Sequence, residues 1–125
     1  MQNKYHDAAA LRGKTITAIS QISSDRIEIM TEDGNQYVMI HDQDCCESVS
    51  IDDICGDVSD LIGTPILQAE EPSTKDVPSC EQNPESFTWT FYRLATIKGQ
   101  VVIKWYGSSN GYYSETAAFK RVETL

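Results

Sequence analysis

The sequence has no apolar run long enough to cross a bilayer. Its longest apolar runs, Ala8 to Leu11 and Val101 to Ile103, span only a few residues, whereas a transmembrane helix needs about 20. The first residues, Met1 to Asp7, are polar and lead into no apolar stretch with a small-residue cleavage site, so no secretory signal is predicted. We therefore expect a cytoplasmic protein that does not bind membranes.

Basic residues are scarce in this chain. Its 10 Lys and Arg stand against 19 Asp and Glu, for a formal net charge of -9. Between Glu32 and Ser86 there are fourteen acidic residues and a single base, Lys75. Nucleic-acid affinity comes largely from Lys and Arg that displace counterions from phosphates, so direct nucleic-acid binding is not expected. The surface suits a basic protein partner, a cation or mimicry of nucleic-acid charge, or it simply keeps the protein soluble.

Several signatures of catalytic and cofactor-binding proteins are also missing. The four cysteines, Cys45, Cys46, Cys55 and Cys80, form no Cys-x-x-Cys framework, and cytosolic thiols stay reduced, so disulfides are not expected. There is no phosphate-binding loop, dinucleotide fingerprint or internal repeat. We expect no cofactor.

The clearest pattern that is present lies near the C-terminus. Residues 86–97 alternate large aromatic side chains with Thr and Tyr, the period of two that is typical of a strand. Residues 100–106 repeat this period. The Asn110-Gly111 pair then predicts a tight hairpin turn into a last strand over residues 112–122.

The rest of the chain also favours short strands. Alternation predicts them over residues 14–22, 25–31, 36–41, 47–51 and 65–70. Helical turns are expected over residues 52–55 and 57–62, the second capped by Asp57 and ended by Gly63. Seven or eight strands with one or two short helices predict a mainly β (α+β) fold: a twisted antiparallel sheet, a sandwich or a partly closed barrel.

The length predicts one domain over residues 1–125, enough for a single hydrophobic core. Residues 1–10 are expected to be a flexible N-terminus. Residues 71–85 hold three prolines among polar and acidic residues, so a mobile acidic loop is predicted there.

The densest run of ligand-type side chains begins at His41 and ends at Glu47. Imidazole, thiolate and carboxylate all bind zinc-like ions, so His41, Asp44 and Cys46 are weak metal candidates. Against a metal site, the adjacent Cys45 and Cys46 point to opposite faces of an extended backbone. The nearby carboxylates also disfavour a nucleophilic thiolate. A buried cysteine and a locally hydrogen-bonded His41 are the commoner arrangement.

A second candidate region is the polar turn that contains Asn110, Tyr112, Tyr113 and Glu115. Tyrosine offers rigid contact area with a polar tip, and Asn can hydrogen-bond a peptide or small ligand. Tyr92 is a candidate stacking surface beside it, while the two tryptophans are expected in the core. An Asn-Gly hairpin without any ligand is the alternative.

Four segments together resemble an uncharacterised family of small proteins from tailed phages and prophages. They are His41 to Glu47, Gly56 to Gly63, Thr88 to Tyr92 and Ser109 to Glu115, which lie within about residues 11 to 119. The resemblance implies a phage origin and an accessory role in the infected bacterium, and it supplies no substrate, cofactor or catalytic residue.

The leading hypothesis is a non-enzymatic binding protein of counter-defence type. It would inhibit a host protein through a basic site, or sequester a small signalling molecule, using the acidic loops or the turn from Asn110 to Glu115. One alternative is a metal-dependent hydrolase centred on His41, Asp44 and the pair Cys45-Cys46. Another is a structural or assembly protein, and a homo-oligomer stays open in each case.

Overall fold

The computed structural model describes residues 2–6, 8–82 and 84–123, which form ten β-strands and two single-turn 3-10 helices. The strands are β1 (Gln2–His6), β2 (Ile16–Ser23), β3 (Arg26–Thr31), β4 (Gln36–Ile40), β5 (Ser48–Cys55), β6 (Gln68–Glu70), β7 (Ser73–Thr74), β8 (Ser86–Thr96), β9 (Gly99–Ser109) and β10 (Ala118–Glu123). The helices are η1 (Ala8–Leu11) and η2 (Val58–Leu61). No helix in the described part of the chain is long and apolar enough to span a membrane.

The strands form two antiparallel sheets that do not close into a barrel. The first sheet has the order β1-β10-β4-β3-β2, and the second has the order β5-β9-β8-β6, with the two-residue β7 also paired to β8. The predicted mainly β fold is therefore confirmed.

One hydrophobic core joins the inner faces of the two sheets. Ile27, Ile29 and Phe119 come from the first sheet, and Leu94 and Trp105 from the second; all five are almost fully buried. Because side chains alternate along a strand, every second residue of β8 and β9 faces this core. The opposite, outer face of the second sheet carries the remaining aromatic side chains of both strands.

The alternating segments of the sequence form the predicted strands. β8 and β9 pair in unbroken antiparallel register from Ser86 opposite Ser109 to Thr96 opposite Gly99. The Asp57 side chain caps η2 by accepting a hydrogen bond from the amide of Ser59 at 3.0 Å. The helical turn predicted there is thus confirmed, and so is the function of Asp57 as its cap.

Two predictions of local structure are wrong. β5 does not give way to a helical turn after Ile51 but continues to Cys55, because a bulge between Ile51 and Asp53 resets the alternation. The Asn110-Gly111 turn does not return a strand along β9. Instead, β10 crosses to the first sheet and pairs with β1 and β4.

Glycine makes this crossing possible. A Cβ atom added at Gly107 in β9 would lie 2.0 Å from the backbone oxygen of Glu115. The segment that leaves β9 therefore passes directly over β9 on its way to the other sheet, and only a residue without a side chain fits below it.

The segment after β6, where the mobile acidic loop was predicted, borders and then partly covers the second sheet. Pro72 lies at the edge of β8, where its carbonyl accepts the Phe91 amide hydrogen at 2.9 Å and β7 continues the pairing. Pro78 and Ser79 lie over the outer face: the Trp89 indole donates to the Pro78 carbonyl at 3.2 Å, and the Ser79 hydroxyl hydrogen-bonds the Tyr106 phenol. Mobility of this segment and of residues 1–10 stays a prediction, although residues 2–6 pair with β10 as a strand that the sequence did not indicate.

Candidate functional site

The loop between β4 and β5 is organised around the buried carboxylate of Glu47. Its Oε1 accepts the amide hydrogen of Cys45 and its Oε2 that of Asp44, both at 2.8 Å. The Gln43 amide group donates to the backbone oxygen of Glu47 at 2.6 Å. The densest polar run of the sequence therefore folds onto its own last residue, and no side-chain oxygen of Glu47 is exposed to solvent.

His41 connects this loop to the segment that crosses between the sheets. Its Nε2 lies 2.8 Å from Glu47 Oε2, and its Nδ1 lies 3.0 Å from the backbone oxygen of Thr116. Both neighbouring atoms are acceptors, so both contacts are hydrogen bonds only when the ring carries a hydrogen on each nitrogen. The two candidate regions of the sequence are thus joined through one buried imidazole.

The environment of Glu47 favours its charged form. Burial alone would raise the pKa of this carboxyl group, but the amides of Cys45 and Asp44 and the ring of His41 lower it from 4.5 to about 2. Three donors aimed at one carboxylate are the usual cause of such a depression.

A titration of Glu47 tests this environment. Following its side-chain carboxyl carbon by NMR, we expect a midpoint near pH 2 in the folded protein. Because the folded pKa lies below the unfolded value, the stabilisation from this carboxylate is complete above pH 4.5 and is lost as the pH falls toward 2. A midpoint at or above pH 4.5 would contradict the described contacts.

The two adjacent cysteines differ from the expectation. Cys45 and Cys46 are bonded to each other as a disulfide, with their Cα atoms 3.7 Å apart. The backbone bends here because the Glu47 carboxylate binds the Asp44 and Cys45 amides, so the alternation of an extended strand does not apply. Within residues 8–82 and 84–122, no three His, Cys, Asp or Glu side chains are placed to hold a metal ion.

A second buried carboxylate, that of Glu115, shapes the turn after β9. It accepts hydrogen bonds from Ser109 Oγ at 2.5 Å and from Thr88 Oγ1 at 2.9 Å. Burial would raise the pKa of Glu115, but these hydroxyls and that of Ser86 lower it. The exposed Lys75 ammonium lies 3.7 Å from the same carboxylate. Glu115 therefore fixes the turn from within and is not presented to a partner.

The turn itself is ordered by its own side chains. Ser109 Oγ accepts the amide hydrogen of Gly111 at 2.9 Å, and Asn110 Oδ1 accepts that of Tyr112 at 3.1 Å. These bonds hold the turn in one shape, in which Asn110 is exposed and Tyr113 is half-buried.

An open groove of about 380 Å³ lies between this turn and the acidic segment. We call it the acidic groove; it is lined by Cys46, Ser48, Glu81, Pro84, Glu85, Ser108, Ser109, Asn110 and Tyr113. Two carboxylates and no base line it. The structure thus brings together three of the predicted site residues, Cys46, Asn110 and Tyr113.

The other predicted residues lie elsewhere. Tyr92 faces the core with no exposed surface, because it shares the inner face of β8, which corrects its assignment to a partner surface. Glu47 and Glu115 are buried and support the loops beneath the groove. Asp44 and Cys45 are exposed beside it but are not among its lining residues, and Tyr112 is 87% exposed.

Sequence reasoning missed Glu81, Glu85 and Ser48 as lining residues. The signal was the run of acids in residues 71–85, but a pattern of local alternation does not show where such a segment lies. Other acids of the central block act within the fold: Asp33 pairs with Lys14 at 2.5 Å and Asp42 with Lys120 at 2.6 Å. The block is therefore only partly available to a partner.

The family described as "Domain of unknown function (DUF7448)" matches the chain over residues 9–119. The expected match to an uncharacterised family is thereby confirmed. No curated protein and no solved structure matches the chain. The matched residues include the Glu47 loop and the whole acidic groove.

Proposed function

We propose, for a chain that belongs to the DUF7448 family, that it is a non-enzymatic protein whose acidic groove binds a basic side chain of a protein partner. The proposal rests on one observation: Glu81 and Glu85 line the same groove as Asn110 and Tyr113. Carboxylates suit a Lys or Arg head group, and the tyrosine ring and amide suit its aliphatic stem and neighbouring backbone.

The surroundings of the groove favour recognition over chemistry. The His41 ring, which would act as the base or metal ligand of a hydrolase, has both nitrogens engaged by Glu47 and Thr116. The ring is therefore not available as a base or a metal ligand in this arrangement, which supports a binding function over a hydrolytic one.

Charge decides between the two classes of target. In the acidic groove, a small signalling molecule that carries phosphate would face the Glu81 and Glu85 carboxylates, which repel it. A basic site on a protein is attracted by the same field. Together with the resemblance to phage and prophage proteins, this supports an accessory protein that inhibits a host component in the bacterial cytoplasm.

Neutralising the groove tests the proposal. The variant Glu81→Gln/Glu85→Gln is titrated with a hexa-arginine peptide by calorimetry. Since each exposed ion pair contributes up to about 1 kcal/mol, we expect binding to weaken about tenfold. Binding to the unaltered protein should also weaken steeply between 0.1 M and 1 M salt, as the screening length falls from about 10 Å to about 3 Å.

A matched control separates the groove from overall charge. Asp25→Asn/Glu32→Gln removes the same two charges from exposed positions at turns of the first sheet, and its affinity should stay within about twofold of the unaltered protein. Equal losses in the two double variants would show that the peptide responds only to net charge. Affinity that is insensitive to salt would also contradict an acidic docking site.

A further inference from the structure

A second groove, of about 450 Å³, lies on the outer face of the second sheet. It is lined by Cys55 of β5, Val102 and Lys104 of β9, Phe91 and Arg93 of β8, and Val77. In the strand register Val102 lies between Cys55 and Arg93, and Lys104 is opposite Phe91. The lining is therefore an apolar floor with a cation on each of its two central strands.

The apolar surface in this groove is left open by the segment that covers the rest of the face. Pro78 and Ser79 cover Trp89 and Tyr106, which are only 6% and 8% exposed. Beside this cover, Phe91 and Val102 are half-buried, and Val77 of the covering segment is 40% exposed. Exposed apolar surface in a concave site of this volume is typical of small-molecule sites.

The two cations are unusual for this chain. Most of its described Lys and Arg side chains have partners, as Lys14 has Asp33 and Lys120 has Asp42. Among the described residues, neither Arg93 nor Lys104 makes an ion pair or a side-chain hydrogen bond. The Arg93 guanidinium carbon lies 6.0 Å from the centre of the Phe91 ring, so it is held over the apolar floor.

Two acids lie across the strands from these cations. Asp53 is opposite Lys104 in the register of β5 and β9, and Glu70 is opposite Arg93 in the register of β6 and β8. Each carboxylate accepts hydrogen bonds within its own strand: Asp53 from the Ile54 amide at 2.8 Å and the Cys55 thiol at 3.5 Å, and Glu70 from the Gln68 amide group at 2.9 Å. Among the described residues neither acid forms an ion pair with Arg93 or Lys104, so both cations keep their donors for a ligand.

We propose that this groove binds a small amphipathic anion, with its apolar body on Phe91 and Val102 and its anionic group on Arg93 and Lys104. Charge complementarity selects the anion, because each cation gains a partner that the chain does not supply. The concave shape favours a free ligand such as a fatty carboxylate over a flat lipid surface. This site lies on a different surface from the acidic groove and does not depend on its function.

Three probes test the head group and the tail. Dodecanoate, dodecylamine and acetate are titrated separately into the protein at pH 7 and below the micelle concentration, with binding followed by amide NMR shifts of β8 and β9. We expect saturable binding of dodecanoate, at least tenfold weaker binding of dodecylamine and no binding of acetate. The protein's net charge alone would favour the amine, so this order is specific to the groove.

Paired variants locate the site. Arg93→Gln/Lys104→Gln should weaken dodecanoate binding at least tenfold, whereas Arg12→Gln/Lys98→Gln, which removes the same charge at exposed positions, should leave it unchanged. Circular dichroism confirms that both variants are folded. Absence of dodecanoate binding, equal or tighter binding of dodecylamine, or an unchanged affinity of the first variant would overturn the proposal. So would binding to phosphatidylglycerol vesicles without binding of free dodecanoate.

Discussion

Replacing Gly107 with alanine is expected to lower the free energy of unfolding by about 3 kcal/mol, the upper part of the usual range for overpacking. The new Cβ atom would lie 2.0 Å from the backbone oxygen of Glu115. A backbone atom cannot rotate away as a flexible side chain can, so the crossing segment or β9 must move. Urea unfolding followed by circular dichroism measures the change.

The neighbouring Ser108→Ala is the control for this substitution. Ser108 faces outward in the same strand and is half-buried, so its change should stay within about 0.5 kcal/mol. Gly107→Ala should also weaken binding of the hexa-arginine peptide. The substitution displaces Glu115, and Glu115 holds Ser109 at the wall of the acidic groove. If Gly107→Ala were as stable as Ser108→Ala, the close crossing described above would be wrong.

The parts of the fold that depend on local pattern could be predicted from the sequence. The alternation in residues 86–106 gave both long strands and the correct face for Trp105, which is fully buried. Asp57 was recognised as a cap because its oxygen reaches an amide two residues away. In these cases the strand or cap depends on residues that are close together in the sequence, so a local sequence pattern is enough to predict it.

Pairings between distant residues could not be predicted in this way. An Asn-Gly pair favours a tight turn, but it does not say which strand the chain meets next, and β10 pairs with β4 about 80 residues earlier in the chain. The bulge in β5 also places Ile51 and Ile54 on the same face, three residues apart, which resembles the start of a helix. A single inserted residue is enough to hide a strand from a period of two.

The candidate site also has parts that could be predicted from local sequence and parts that could not. Sequence composition pointed to residues 41–47 and 110–115, and both regions border or support the acidic groove. Their connection through His41 and Thr116 could not be predicted, because it joins residues 75 positions apart. The buried state of Glu47 and Glu115 was missed for a related reason: a carboxylate is expected at the surface unless its donors are known.

Replacing His41 with alanine is expected to lower the free energy of unfolding by about 3 kcal/mol, because the buried Glu47 carboxylate loses a hydrogen-bond donor that water does not replace. The substitution takes away the only side chain that donates to the Glu47 carboxylate among the described residues. It also removes the His41 Nδ1 atom that lies 3.0 Å from the Thr116 backbone oxygen. Since domains are stable by only about 5–15 kcal/mol, thermal unfolding should show a large decrease in midpoint.

Two further variants assign this loss to the His41 contact. Asp44→Ala, at an exposed position of the same loop, should change stability by no more than about 0.5 kcal/mol. In a double-mutant cycle, Glu47→Gln should cost much less on the His41→Ala background than on the unaltered protein, because the pair is already broken. Additive losses would mean that the two residues act independently. Because His41 joins the loop of Cys46 to the crossing segment beside Tyr113, a folded His41→Ala protein should also bind the hexa-arginine peptide more weakly.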